Sequence, residues 1–481
     1  MSDDDNKQND DQGYKSGSLT LPGAVAMGTG VMIGAGIFAL TGQIAELAGG
    51  WFPVVFLAAA VVAGFSAYSY VKLSDDDPSA GGIGMYLTRL YGKSGLGGTV
   101  AAGMALLMYF SMVINEALVA RTFGQYVMQM FVGPEEQVGG SGEGGGGGGF
   151  GVLSGEWKIP ALAVGLLIVA FGVNVLANKF IDKFQLVMAA VKILGIAVFA
   201  GAGLWVSGLA WDSFTGNAGA DAATSAGSAG GGESWFGVVA AVALGILSYK
   251  GFTTITNDGD ELKEPEKNVG RAIIISLVIC VAIYLLVALA VGGALSIPQI
   301  VEAKDYALAE AARPAFGQWG LYLTVALAIV ACVSGVIASV FAVSRMLAML
   351  VEMDLVPYKD VGILGRRQYT TLVYTIVFAT LLAVFFDLSR IASLGAIFYL
   401  VMDLAIHWGV LTRLRHKIGA NPIILVIALL LDAAILLAFV WVKGGSDPLV
   451  LGFAGVGLLV IFGGEWLYLR GRGDGDDAEA A

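Results

Sequence analysis

Two lysines stand alone in apolar sequence and are the residues best placed to do chemistry. Lys192, in QLVMAAVKILGIAV, is the only charge between residues 184 and 211. Lys250 follows Leu247-Ser248-Tyr249 and precedes Gly251-Phe252 and Thr253. A cation held inside a membrane is costly unless paired or neutralised, so such lysines mark proton or anion sites unless they snorkel to an interface. Backbone offers a second kind of chemistry. Gly28-Thr29-Gly30-Val31-Met32-Ile33-Gly34-Ala35-Gly36 carries four glycines in nine residues. Each glycine weakens a helix by up to about 1 kcal/mol relative to alanine. The run serves either close helix packing or an unwound stretch with free amides and carbonyls, and the residues alone leave both open.

Other chemistries find little material. Cys280 and Cys332 lie in apolar sequence, far from His407 and His416, and no Cys/His cluster has metal or haem spacing. No cofactor and no metal are expected, and no nucleophile–base set suggests an enzyme.

The elements that hold these residues follow from composition. Of 481 residues, 57% are apolar and 14% charged, against about a quarter charged in soluble domains. A bilayer core about 30 Å thick needs roughly 20 apolar residues per helix. Twelve windows supply them: 20–48, 53–73, 98–131, 157–177, 182–205, 234–257, 272–296, 317–351, 369–387, 390–411, 421–442 and 448–470. The stretch 79–95 is too short and mixed to cross and reads as an interfacial helix. The charged run within 297–316 reads as a cap. The expected fold is therefore an all-α polytopic membrane protein with twelve transmembrane helices.

If the N-terminus is cytoplasmic, nineteen of the 27 Lys and Arg fall in inner segments, five in outer segments and three within spans. The positive-inside rule then places both termini in the cytoplasm, in a cell (plasma) membrane. The net charge of -11 excludes a nucleic-acid partner. Sixteen of the acids sit in the tails and in two Gly-rich outer loops, so the acidity reflects water-facing segments. Residues 1–18 read as a disordered acidic tail and 471–481 as a second acidic tail.

Leu247 to Phe252 interrupts the sixth window much as the glycine run threatens the first. Paired interruptions in two successive sets of five helices point to a secondary transporter with inverted repeats. At this point the residues resemble a known family. GVMIGAGIFALTGQIAELAG resembles the first helix of the amino acid–polyamine–organocation transporters. SYKGFTTITNDGDELKEPEKNVGRAI resembles their sixth helix and following loop, and AVSRMLAMLVEMDLVP the end of their eighth. The likeness is to sodium-independent, cationic-amino-acid-transporter-like prokaryotic members. It implies a five-plus-five core of residues 19–205 and 234–411 with discontinuous helices 1 and 6, a 206–233 outer loop, and two further helices in 412–470. It also implies amino-acid transport by alternating access.

The resemblance assigns roles. Ile33 and Leu247 would offer carbonyls to the substrate ammonium, and Gly34, Ala35 and Gly36 amides to its carboxylate. Ser248, Tyr249 and Lys250 would line the same site, with Phe252 and Thr253 as gate residues. Lys192, near Gly30 and Ser334, would replace the sodium of related carriers and couple transport to protons. The partners implied are an amino acid, protons and the lipid bilayer; the oligomeric state is unknown. Proton symport is the leading reading, with amino-acid exchange (antiport) and a non-transporting sensor as alternatives. Lys250 departs from the family pattern: it meets an anionic side chain, orients a partner or reaches water. Asn115, Glu116, Arg121, Asp403 and Asp432 are expected to satisfy one another or neighbours, and Arg345 to close the eighth span.

Overall fold

The structure is a computed structural model that describes residues 17, 19–77, 82–93, 95–131, 157–176, 181–207, 235–257, 259–356 and 367–479. The Gly-rich loops and the N-terminal tail lie outside them.

Thr20 caps the first helix, α1 (Leu21–Ala48), its hydroxyl accepting from the Gly23 amide, with proline in the first turn. Gly49, at φ 55°, ends it in a conformation that glycine tolerates. After α2 (Phe52–Asp76) come the short α3 (Gly82–Tyr91), then α4 (Gly95–Met128), α5 (Lys158–Leu176) and α6 (Ile181–Ser207). The interrupted element follows as α7 (Trp235–Tyr249) and α8 (Phe252–Asn257). Next are α9 (Pro265–Ala294), the short α10 (Ile297–Glu302) and α11 (Ala307–Ala311), and α12 (Arg313–Glu352). The chain ends with α13 (Arg367–Phe385), α14 (Leu388–Gly409) running into a π-helical segment (Val410–Leu414), α15 (Pro422–Ser446) and α16 (Pro448–Glu479).

Nine segments of the described residues are long and apolar enough to cross a membrane. One of them, 21–76, joins α1 and α2, and the shorter apolar helices Trp235–Tyr249 and Tyr369–Phe385 accompany the nine. Within the bundle α1 is packed among α6, α7, α9 and α12, while α4 lies against α12 and α14. The helices that carry Lys192, Lys250 and the glycine run thus share one centre. Outward faces keep large apolar side chains exposed, such as Leu194, Leu430 and Leu459, as lipid contact requires. Trp51, Trp205, Trp235, Trp319 and Trp441 are exposed near helix ends, in keeping with an interfacial belt.

One expectation needs correction. The first helix is not discontinuous: α1 is helical from Leu21 to Ala48 without interruption. Its glycines are used for close approach instead. A Cβ on Gly34 would stand 3.1 Å from the Ala331 carbonyl of α12, one on Gly28 2.6 Å from Ile255 of α8, and one on Gly36 2.7 Å from Ser248 of α7. α12 is kinked near its start, where Gly317 takes φ 59° at the edge of the eighth window. The discontinuity of the sixth helix is present, and the 297–316 segment does form a cap. There Lys304 pairs with Glu46 of α1, and the Gln125 side chain of α4 donates to Asp305 at 2.9 Å.

Candidate functional site

Lys250 and Gly251 form the turn between α7 and α8, and the turn is pressed onto α1. A Cβ on Gly251 would meet the Met32 amide nitrogen at 2.9 Å and the Gly28 carbonyl at 3.1 Å, so only glycine fits. The Lys250 ammonium reaches across to α4, donating to the Ser111 carbonyl at 2.7 Å and its hydroxyl at 2.6 Å. It also sits 5.6 Å from the centre of the Tyr399 ring, a cation–π distance.

Beside this turn is a small cavity, about large enough for one water molecule, lined by Val31, Met112, Asn115, Lys250, Gly251, Thr253, Thr254 and Ser339. Glu116 lies behind the wall, fully buried, with Ser339 donating to one carboxylate oxygen at 3.4 Å. Its other oxygen has no hydrogen-bond partner among the described residues. The cavity therefore has an ammonium on one side and a carboxylate close behind another.

Of the residues expected to touch substrate or act as gates, Lys250 and Thr253 line this cavity. The Thr253 hydroxyl is turned onto the Lys250 carbonyl at 2.8 Å. Leu247 packs on Gly395 of α14, Ile33 is fully buried, and Ser248 donates to Gly36 at 3.4 Å. Tyr249 points away, donating to the Phe56 carbonyl of α2 at 3.1 Å. Gly34, Ala35 and Gly36 lie inside the continuous α1, so their amides are not a preformed carboxylate site. Phe252 packs edge-on against Tyr70, ring centres 5.5 Å apart.

Lys192 of α6 is 0% exposed, which excludes snorkelling, and its ammonium donates to the Gly30 carbonyl at 2.9 Å. Lys192 and Gly30 are thus in contact, while the Ser334 hydroxyl donates to the Val330 carbonyl at 2.8 Å. Sequence reasoning missed Tyr284 of α9, whose hydroxyl lies 2.7 Å from the Met32 carbonyl and 3.1 Å from that of Ser248. It ties α1 to the end of α7 at the interruption. Nothing in a tyrosine within apolar sequence signals such a role. Ser111, Ser339 and Glu116 were likewise invisible as partners, because only the fold brings α4, α8 and α12 together.

Contacts tie the helices together at the end that carries α8. Arg345 of α12 forms a partly buried ion pair with Glu261, and Leu19 exchanges backbone hydrogen bonds with Glu261 at 2.8 Å and Lys263 at 2.9 Å. Arg121 fastens α4 to the end of α13, donating to the carbonyls of Ala383 at 2.9 Å and Phe386 at 2.6 Å.

Comparison with known proteins places this site in context. The Amino acid permease family matches residues 19–458. The inner membrane transport protein YbaT of Escherichia coli is 28% identical over 426 residues, covering 88% of this chain and 90% of that protein. An uncharacterized Methanocaldococcus jannaschii protein, MJ0609, is 27% identical over 390 residues, 81% of each chain. The vacuolar cationic amino acid transporter 2 of Arabidopsis thaliana is 26% identical over 393 residues, 79% of this chain and 57% of that longer protein. The chain belongs to the amino acid permease family, and is a multi-pass membrane transporter.

Proposed function

We propose that this permease is a secondary active amino-acid transporter that works by alternating access and is driven by protons, without sodium. The observation that carries the reading is the cavity beside the interrupted α7–α8 helix, with Lys250 on its wall. An α-amino acid brings one carboxylate and one ammonium group, and both must be met by oriented groups once water is removed. Lys250 meets the carboxylate. Asn115, Ser339 and the Glu116 behind it meet the ammonium. The side chain of the substrate is then selected by Val31, Met112, Thr253 and Thr254.

Lys192 supplies the coupling. Its ammonium holds the Gly30 carbonyl of α1, so loss of the proton weakens the tie between α1 and α6. Twelve helices cross the membrane in this reading, with a five-plus-five core of 19–205 and 234–411, and both termini face the cytoplasm across the plasma membrane. The test is a panel of amino acids offered to reconstituted vesicles under separate proton and sodium gradients. Uptake driven by an inward proton gradient and indifferent to sodium is expected. Uptake that follows sodium overturns the coupling. Counterflow that no ion gradient stimulates identifies an exchanger instead.

A further inference from the structure

We propose that Asp403, His407 and Asp432 bind one divalent transition-metal ion, at a site between α2, α14 and α15 that is separate from the substrate cavity. All three side chains are 0–1% exposed, and one ligand atom from each lies within 4.8 Å of the others. His407 Nε2 is 3.3 Å from Asp432 Oδ2 and 3.6 Å from Asp403 Oδ2. Both separations exceed those of a formed N–H···O hydrogen bond. The two separations from Nε2 match donors around a shared ion, because ligand bonds of about 2.1 Å at tetrahedral angles set donors about 3.4 Å apart.

The atoms without a formed hydrogen bond belong to the same cluster. Neither His407 Nε2 nor either oxygen of Asp432 has a hydrogen-bond partner among the described residues. A protonated His407 would cancel only one of the two carboxylate charges, whereas a divalent ion, which takes the imidazole neutral, cancels both. Imidazole among the donors selects zinc, copper, iron or nickel over calcium or magnesium, which take oxygen ligands.

The surrounding residues orient the ligands as an outer shell must. Ser69 lies 2.7 Å from His407 Nδ1, which leaves Nε2 for the ion. Ser66 donates to Asp403 Oδ2 at 2.5 Å and Tyr70 to Oδ1 at 2.6 Å. His407 lies in the last turn of α14, and the π-helical segment Val410–Leu414 follows, a distortion common at functional sites. Tyr70 also bears on Phe252, so the ion would brace the wall on which α8 rests.

The full-length protein, purified in detergent and stripped with chelator, would be titrated with Zn²⁺ and separately with Co²⁺. One Zn²⁺ per chain and the visible absorption bands of four-coordinate Co²⁺ are expected. Asp432→Asn and His407→Gln should abolish both signals, and Ser69→Ala should weaken affinity roughly 10–100-fold, the usual cost of an outer-shell loss. Absence of saturable binding to the wild type overturns the proposal. So does binding that survives in both ligand variants, since that would place the ion on other groups such as the acidic tails. Where the ligand variants fail to fold, the wild-type Co²⁺ spectrum and the Ser69→Ala titration decide. None of these readouts depends on transport.

Discussion

Lys192 and Lys250 are both buried lysines, but they meet different partners and should fail differently. Lys192 holds a backbone carbonyl of α1, whereas Lys250 holds Ser111 and borders the cavity. Lys192→Ala should reduce proton-driven uptake at least about tenfold, equivalent to 1.4 kcal/mol, while counterflow at fixed pH persists. Lys250→Met should instead raise the KM for substrate, about tenfold or more, with and without a gradient. Uptake measured at several substrate concentrations in vesicles separates the two. Both lysines were legible in the sequence because a lone cation in apolar surroundings is conspicuous. Glu116 was not, since it stands beside Asn115 and five residues before Arg121, where mutual satisfaction is the simpler reading. Asp403, His407 and Asp432 escaped for a related reason. Asp403 and His407 are one helical turn apart, but the third member comes from another helix, and linear spacing carries no sign of it.

At the scale of elements, the interruption between α7 and α8 was read correctly and the one in α1 was not. Lys250-Gly251 places a charge and a glycine together, which a membrane helix tolerates poorly. Glycines alone, as in α1, suit tight packing equally well, and here their neighbours fill the space that side chains would occupy. Gly251→Ala should therefore be far more damaging than its size suggests, because its methyl would strike the α1 backbone. Loss of folded protein on gel filtration, or loss of transport in whatever folds, is the expected outcome. Tyr284→Phe is the gentler probe of the same junction. It removes a hydroxyl placed between two carbonyls and should cost about 1–2 kcal/mol of thermal stability, measured by unfolding in detergent.

For the whole molecule, contacts tie the helices together at both ends of the bundle. Arg345–Glu261 and the Leu19 pairing act at one end, and the cap over α1 and α4 at the other. Alternating access requires each set of contacts to break in turn, so the two should respond to different perturbations. Glu261→Gln weakens the first without touching the cap, and a cysteine placed at Thr254 should then react faster with a water-soluble thiol reagent. The cap responds to pH through Asp305. Burial raises its carboxyl to about 6, against the pull of Lys304 and Arg121. The closed cap thus favours the protonated acid more than an open or unfolded chain does, whose carboxyl titrates near 4. The closed form then binds more protons over this interval, so its stability is full below about pH 4 and falls as pH rises through 6. Asp305→Asn keeps the neutral shape at every pH and should flatten that part of the profile. Thermal unfolding of both proteins across this interval is the measurement. Parallel pH profiles for wild type and Asp305→Asn would show that the cap does not sense protons.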